Sequence, residues 1–311
     1  MLISIILPFY NEEEIVDELY GRLVKVFENN ENDFEVIAVN DGSKDATFKK
    51  LKEYALKDKR LRVIDFSRNF GHQIAISAGI SFSNGAAAII IDADLQDPPE
   101  LIPELIKKWK EGYEVVYGVR EKRKEGIFKR ICYSLFYKVL RSVANIDIPL
   151  DSGDFCLMDK KVVDILKNIP ERNRFIRGIR CWIGFRQIGF KYERDVRYAG
   201  VPKYTFIKLI KLAFDGIVSF SHFPLRIAST FGFLISIITF LIGLFLIIKR
   251  LVYGTQVYGL TTIIIAVLFL GGIQLVTIGI IGEYIGRIYD EVKQRPIFII
   301  KELVNFNVNN K

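Results

Sequence analysis

Asp92-Ala-Asp94-Leu-Gln96-Asp97 closes the apolar run of residues 86–91 with carboxylates at alternate positions. In a strand, residues i and i+2 point to the same side, which would let Asp92 and Asp94 share one divalent cation. Mg²⁺ and Mn²⁺ take carboxylate oxygens and bridge to substrate phosphates. The competing reading is a capped turn, with Pro98-Pro99 starting the next helix, and for D-x-D alone the two weigh equally. Asn11, Asp41 and Arg68 are other polar residues that fall just past apolar, strand-like runs.

The elements that must position these residues alternate. Strands are expected at 2–9, 34–40, 62–67, 86–91 and 114–118, the last closing the series. Helices are expected from Glu12 to about Asn29, then at 45–57, 73–82 and 99–111. Near-continuous apolar strands separated by amphipathic helices imply a parallel sheet covered on both faces. Ligands of such a sheet bind beyond the carboxyl ends of its strands. The polar residues above therefore converge on one rim.

Half of the 311 residues are hydrophobic and a quarter are charged, a mixture that suggests a soluble part joined to a membrane part. Residues 227–248 and 257–282 contain no charged side chain, and Gln274 is the main polar interruption. Each exceeds the roughly 20 residues needed to cross a bilayer as a helix. A transmembrane hairpin is expected over residues 226–282. The turn between the spans carries Lys249 and Arg250. The opposite side carries Lys208, Lys211, Arg226, Arg287, Lys293, Arg295 and Lys301. That asymmetry places both termini and residues 1–204 in the cytoplasm, at the inner (plasma) membrane. No leader is expected, because Met1 leads into strand-like sequence without a basic n-region.

Residues 127–143 have apolar side chains at helical spacing with basic ones between, and residues 205–225 repeat the pattern. Core packing and an interfacial helix are both open for such stripes. The former segment is assigned as an interfacial helix and the latter as a juxtamembrane amphipathic helix. Residues 283–311 are expected as a mixed-charge helix ending near Pro296 and a polar tail. The cluster Arg120, Lys122, Arg123, Lys124, Lys129, Arg130 fits anionic lipid head groups better than nucleic acid in a chain already held at a membrane. No nucleic-acid partner is expected. Cys132, Cys156 and Cys181 lack metal-ligand spacing and read as packing residues. Gly271-Gly272, Gly279 and Gly282 permit close helix packing, and a homo-oligomer is expected. His72 follows Gly71 within reach of the rim, without an assigned role, and His222 lies near the membrane face.

Pro8-Phe-Tyr10-Asn11-Glu12-Glu13, Val39-Asn-Asp41-Gly-Ser43, Ser67-Arg68-Asn-Phe-Gly71 and Asp92-Ala-Asp94-Leu-Gln96-Asp97-Pro-Pro, in this order, resemble the family 2 glycosyltransferases of the GT-A fold. The closer resemblance is to the membrane-bound polyprenyl-phosphate glycosyltransferases, such as bacterial undecaprenyl-phosphate glucosyltransferases and dolichyl-phosphate mannose synthase. It continues through Gly153-Asp154-Phe155, Gly200-Val-Pro-Lys203-Tyr204 and both spans to Gly282-Glu283-Tyr284-Ile-Gly286-Arg287. It implies an α/β, Rossmann-like catalytic domain with a mostly parallel sheet, followed by interfacial amphipathic helices and a two-helix transmembrane hairpin. The implied reaction is inverting transfer of a hexose from a nucleoside diphosphate to polyprenyl phosphate. The bacterial branch favours UDP and glucose.

The resemblance also assigns roles. Pro8, Tyr10, Asn11, Glu12, Asp41, Arg68 and Asp92 would line the nucleotide-sugar pocket. Asp94 and Gln96, with Asp92 directly or through water, would hold Mg²⁺ or Mn²⁺ on the diphosphate. Asp154 is the candidate catalytic base, with Asp151 a weaker neighbour. Arg120, Arg130, Arg197 and Lys203 would grip phosphates by charge-assisted hydrogen bonds. Bland readings stand beside each role: Asp41 in an Asp-Gly turn, Asn11 as a helix cap, Asp154 ordering a loop, and the cations as solvated surface charge.

Two positions depart from the family pattern. Cys156 stands where the family has arginine in Gly-Asp-Phe-Arg-Leu, and Pro202 replaces the serine of Ser-Lys-Tyr. A processive polysaccharide synthase would need more spans and a Gln-x-x-Arg-Trp element, and neither is present. A nucleotidyltransferase would not need the hairpin. A membrane scaffold with a degenerate transferase domain is disfavoured by the intact Asp41, Asp92, Asp94 and Asp154.

Overall fold

Eight residues, Leu2–Phe9, form the central strand β1 and are buried from Ile3 onward. The computed structural model describes residues 1–121, 152–193, 221, 223–253 and 259–306. In chain order the remaining elements are α1 (Val16–Glu28), β2 (Asp33–Asn40), α2 (Thr47–Lys57), β3 (Leu61–Phe66), α3 (His72–Phe82), β4 (Ala87–Ile90) and α4 (Ile102–Lys110). Then come β5 (Val115–Glu121), β6 (Ser152–Asp159), α5 (Lys160–Asn168), α6 (Ile176–Ile183), β7 (Gln187–Glu193), α7 (Phe223–Tyr253), α8 (Leu260–Lys293) and β8 (Ile300–Val304). The segments 127–143 and 205–220 lie outside the described residues.

The strands form one eight-stranded sheet in the order β7-β5-β6-β4-β1-β2-β3-β8. The block β4-β1-β2-β3 is wholly parallel, while β6 runs antiparallel between β4 and β5. The chain leaves β1 toward β2 and β3 and returns on the other side at β4. This reversal opens a crevice at the carboxyl ends of β1 and β4. Alternation along β1 supplies both cores. Ile5, Leu7 and Phe9 join Leu19, Leu23 and Leu51 on one face, and Ile6 joins Ile76 and Ile80 on the other.

Four sequence expectations change. Helix α1 starts at Val16 rather than at Glu12, because the intervening residues form a turn. The series does not close at Gly118; β5 extends to Glu121, and β6, β7 and β8 follow. Residues 300–304, expected within or after a mixed-charge helix, form an antiparallel strand on β3. The helix before them stops where Gln294 takes a left-handed conformation (φ 49°), and Pro296 then blocks its renewal. The alternating residues that follow satisfy the open edge of β3. Asn305, expected in a frayed tail, instead donates to the carbonyls of Ala55 (2.5 Å) and Leu61 (2.8 Å).

α7 and α8 are long enough and apolar enough to span a membrane, and their spanning windows pack none of their residues inside the protein. At 1.5 Å per residue, the 34-residue α8 is about 51 Å long, more than the hydrocarbon core requires. Its final turns reach the sheet domain, where Glu291 Oε1 accepts from the Arg172 N–H at 2.8 Å.

Candidate active site

The loop after β1 turns at Asn11, a left-handed residue with φ 51°. Its N–H donates to Ser43 Oγ (2.9 Å), and its Oδ1 accepts from the Lys44 N–H (2.8 Å). The Glu12 N–H donates to Thr47 Oγ1 at 2.9 Å. Glu13 is tied twice to the same loop: its N–H donates to Asp45, and its carboxylate accepts from the Ala46 N–H. Asn11 therefore caps the loop after β2 rather than α1, and these ties displace the start of α1. Tyr10 and Glu12 stay half-buried at the rim, while Pro8 is buried within β1 opposite Val39.

Asp41 is buried, and both carboxylate oxygens face the loop after β3. Oδ1 accepts from the Phe70 N–H (2.6 Å) and Oδ2 from the Gly71 N–H (3.0 Å). Burial pushes its carboxyl above the usual carboxylate range, opposed by these two amides and by His72 and Arg68. Arg68 is exposed on the same loop, with its guanidinium 3.9 Å from the Phe70 ring centroid.

β4 ends at Ile90, so Asp92 and Asp94 stand in a turn, not on a strand as their spacing suggested. Leu95 is left-handed there (φ 56°), and the Gln96 N–H donates to Asp94 Oδ1 (3.2 Å). Alternation survives by another route: Ala93, Leu95 and Asp97 are buried, leaving Asp92, Asp94 and Gln96 half-buried toward the mouth. Asp92 Oδ1 is itself buried without a hydrogen-bond partner and faces His72 Nε2 at 3.4 Å. Burial pushes Asp92 up to about 6; His72 opposes this, and Asp97, Asp154 and Asp94 add to it. An orphaned carboxylate oxygen among other acids fits a cation. Among the described residues, no three His, Cys, Asp or Glu side chains are arranged to hold a metal ion by themselves. The donor set thus suits an ion that completes its shell with substrate phosphate and water, as Mg²⁺ does.

Across the mouth lies Asp154. β6 pairs Cys156 with Ile90 in antiparallel register, which carries Asp154 past the same sheet end as Asp92. His72 Nε2 is 3.4 Å from Asp154 Oδ2 as well as from Asp92 Oδ1. Arg177 Nη2 lies 3.2 Å from Asp154 Oδ1, and Gln73 Nε2 donates to Asp154 Oδ2 at 3.3 Å. Burial would raise Asp154, but Arg177 and His72 outweigh it and hold its carboxyl far below the usual carboxylate range. Burial alone would lower His72; Asp92 and Asp154 reverse that and bring it up to about 9.

Residues 4–166 match the model of glycosyl transferase family 2. This chain belongs to glycosyl transferase family 2. It is 49% identical over 309 residues to the uncharacterized glycosyltransferase YkcC of Bacillus subtilis, covering 99% of this chain and 95% of that one. It is 43% identical over 303 residues to the bactoprenol glucosyl transferase of Shigella phage SfII, covering 97% and 98%. Among solved structures, glucosyl-3-phosphoglycerate synthase from Mycobacterium tuberculosis, in complex with Mn²⁺, UDP and phosphoglyceric acid, gives a TM-score of 0.49 at 17% identity, over 70% of this chain and 76% of that one. The mostly parallel α/β sheet with its site at the carboxyl ends of β1 and β4 is the GT-A architecture expected of the family.

In this family 2 transferase, Tyr10, Asn11, Glu12, Asp41, Arg68, Asp92, Asp94, Gln96 and Asp154 all stand at the same end of the sheet. Arg120 is set deeper, its Nη2 3.8 Å from Asp97 Oδ2, and Tyr192 Oη donates to the other oxygen of that buried acid. Arg130, Arg197, Lys203 and Asp151 lie outside the described residues. Sequence reasoning assigned no role to His72, Gln73, Arg177 or Asp97. His72 was visible as the residue after the Ser-Arg-Asn-Phe-Gly run, and Asp97 as the last acid of its motif. Arg177 carried no local signal, because only the pairing of β4 with β6 and the packing of α6 bring it to Asp154. The arginine absent at position 156 has a spatial counterpart: the buried Arg180, whose charge bears on the Cys156 thiol.

Proposed function

We propose that this family 2 transferase moves glucose from UDP-glucose to polyprenyl phosphate, with inversion at the anomeric carbon, at the cytoplasmic face of the membrane. The observation that carries this reading is the joint placement of the Asp92-x-Asp94-x-Gln96 turn and Asp154 at one sheet end, in a chain with two spanning-length helices. Relatives named bactoprenol glucosyl transferase, matched over almost their whole length, support the lipid acceptor and the sugar.

The donor nucleotide would lie in the crevice between the loops after β1 and β2. Tyr10, Asn11 and Glu12 supply its rim, and Asp41 holds the loop that presents Arg68. Asp92, Asp94 and Gln96 would hold Mg²⁺ or Mn²⁺, which neutralises charge on the departing diphosphate. A lipid phosphate is already an anion, so its oxygen can attack the anomeric carbon as the bond to UDP breaks. Placement then carries much of the rate. Asp154, kept ionised by its two cationic neighbours, is a weak base. Its part is to accept the acceptor's remaining proton where one is present and to orient the attacking phosphate. Arg120, Arg130, Arg197 and Lys203 contribute phosphate contacts. The basic residues flanking the spans favour the cytoplasmic side for the catalytic domain, and the small residues of α8 favour a homo-oligomer.

The test is to incubate membranes carrying the protein with polyprenyl phosphate, Mg²⁺ or Mn²⁺, and a panel of labelled sugar nucleotides. UDP-glucose is expected to label the lipid in a chelator-sensitive way. If no donor labels lipid, and wild type is as inert as Asp94→Asn, the reading fails. Transfer from another donor alone would retain the reaction and replace the sugar.

A further inference from the structure

Helix α6 brings two arginines, one turn apart, to the strand that carries Asp154. Asp154 and Cys156 are two residues apart on β6 and share a face. The helix meets them in register: Arg177 Nε and Nη2 are 3.3 and 3.2 Å from Asp154 Oδ1, and the charge of Arg180 bears on the Cys156 thiol, opposing the rise that burial causes. Arg180 is only 1% exposed, and its Nε and Nη2 have no hydrogen-bond partner. Its guanidinium carbon lies 5.1 Å from the Tyr117 ring centroid, a modest compensation for a buried charge. Among the described residues, no carboxylate forms an ion pair with it.

Arg177 and Arg180 both bear on Asp154 from the same helix, Arg177 as an ion pair and Arg180 at longer range. Leaving a guanidinium buried and unneutralised is unfavourable unless something else supplies the anion. Gln73 keeps the arrangement in place, since its Oε1 accepts from the Ile176 N–H (2.9 Å) while its Nε2 donates to Asp154. The residue directly before Arg177 is thereby fastened to α3. Arg177 is one-fifth exposed at the mouth, whereas Arg180 lies behind it.

We propose that Arg177, backed by Arg180, is a phosphate-binding residue of the transfer site: a substrate phosphoryl group docks beside Asp154 and supplies the anion that the buried Arg180 guanidinium lacks. The planar guanidinium suits a phosphate's oxygens. This rests on the transferase reading above. Both substrates of that reaction carry the chemistry, the lipid as a phosphomonoester and the donor as a diphosphate.

KM values for polyprenyl phosphate and for UDP-glucose separate the two sources, measured on the full-length protein in membranes for wild type, Arg177→Gln, Arg177→Lys and Arg180→Met. Arg177→Gln is expected to raise one of the two KM values about tenfold or more, the loss of one charge-assisted hydrogen bond. Arg177→Lys should recover part of it, and Arg180→Met should raise the same KM by a smaller factor. The affected substrate is the one that fills the seat. A fall in kcat with both KM values unchanged overturns the proposal, because Arg177 would then act on Asp154 alone. Calorimetric titration of the solubilised protein with polyprenyl phosphate and with UDP covers the case without turnover. If wild type transfers nothing yet loses phosphate affinity on Arg177→Gln, the seat stands and the transferase reading falls. Equal affinities for both ligands in the two proteins sink the seat.

Discussion

At the rim, a single carboxylate organises two loops. Asp41 accepts from the Phe70 and Gly71 amides, and Gly42 beside it lets the two loops touch. Gly42 has φ +64°, and a Cβ there would stand 2.6 Å from the Asn69 nitrogen and closer still to the Arg68 carbonyl carbon. Gly42→Ala should therefore cost more than the ~1–2 kcal/mol of a left-handed L-residue, because the loop must also move. Thermal unfolding reads the stability loss, and a rise in KM for UDP-glucose reads the displaced Arg68. A second residue-level expectation separates two acids five positions apart in the same turn. Asp92 Oδ1 has no hydrogen-bond partner, so Asp92→Asn should remove divalent-cation dependence and lower transfer by roughly 10–100-fold or more without unfolding the domain. Asp97 is fully buried between Tyr192 and Arg120, so Asp97→Ala should instead destabilise the fold, by about 3 kcal/mol. Comparing cation titrations with melting curves for the two variants tests the division. Equal melting losses would erase it.

Among the elements, the C-terminal strand joins the long apolar helix α8 to the proposed nucleotide rim. β8 covers the edge of β3, Phe298 stacks on Phe66 with centroids 5.3 Å apart, and the Ser67 N–H donates to the Ile299 carbonyl at 3.0 Å. Ser67 begins the loop that Asp41 holds. Phe298→Ala should therefore lower stability by about 2 kcal/mol, less than a fully buried phenylalanine because the ring is only partly covered. It should also weaken donor binding, which a titration with UDP would detect; unchanged UDP affinity would confine β8 to edge protection. This strand was not legible in the sequence, where Ile300 to Val304 follows a helix and carries too few residues to declare a partner. The parallel half of the sheet was legible, because each of its strands is a near-continuous apolar run followed by a polar rim residue. The antiparallel strand β6 was not, since its place between β4 and β5 depends on tertiary pairing. For the same reason Asp154 could be named from its motif, but not its contact with His72 or Arg177. The Asp92 turn shows the opposite case. Its alternation was read correctly and attributed to a strand, whereas burial of Ala93, Leu95 and Asp97 produces it.

For the whole molecule, the question is how a water-soluble donor and a bilayer-bound acceptor meet at one rim. The sheet domain is held to α8 at two separated places: the Glu291–Arg172 contact near the end of the helix, and β8 after it. Between them run residues 294–299, too short a connection to let the domain swing far from the helix end. If α8 spans the bilayer as proposed, this anchor sets the height and tilt of the rim as well as tethering it. Flexible Gly/Ser residues inserted after Gln294, together with Glu291→Ala, would keep the tether and remove the fixed pose. UDP affinity should then stay near the wild-type value. Transfer to long-chain polyprenyl phosphate in vesicles should fall about tenfold or more, because a rim free to swing loses the pre-set orientation that an intramolecular arrangement supplies. A short, water-soluble prenyl phosphate can reach the rim from solution, so its rate should change little. If both acceptors slow equally, the insertion has damaged the site itself. If neither slows, the anchor is a tether only, and the length of α8 beyond the bilayer has no part in presenting the acceptor.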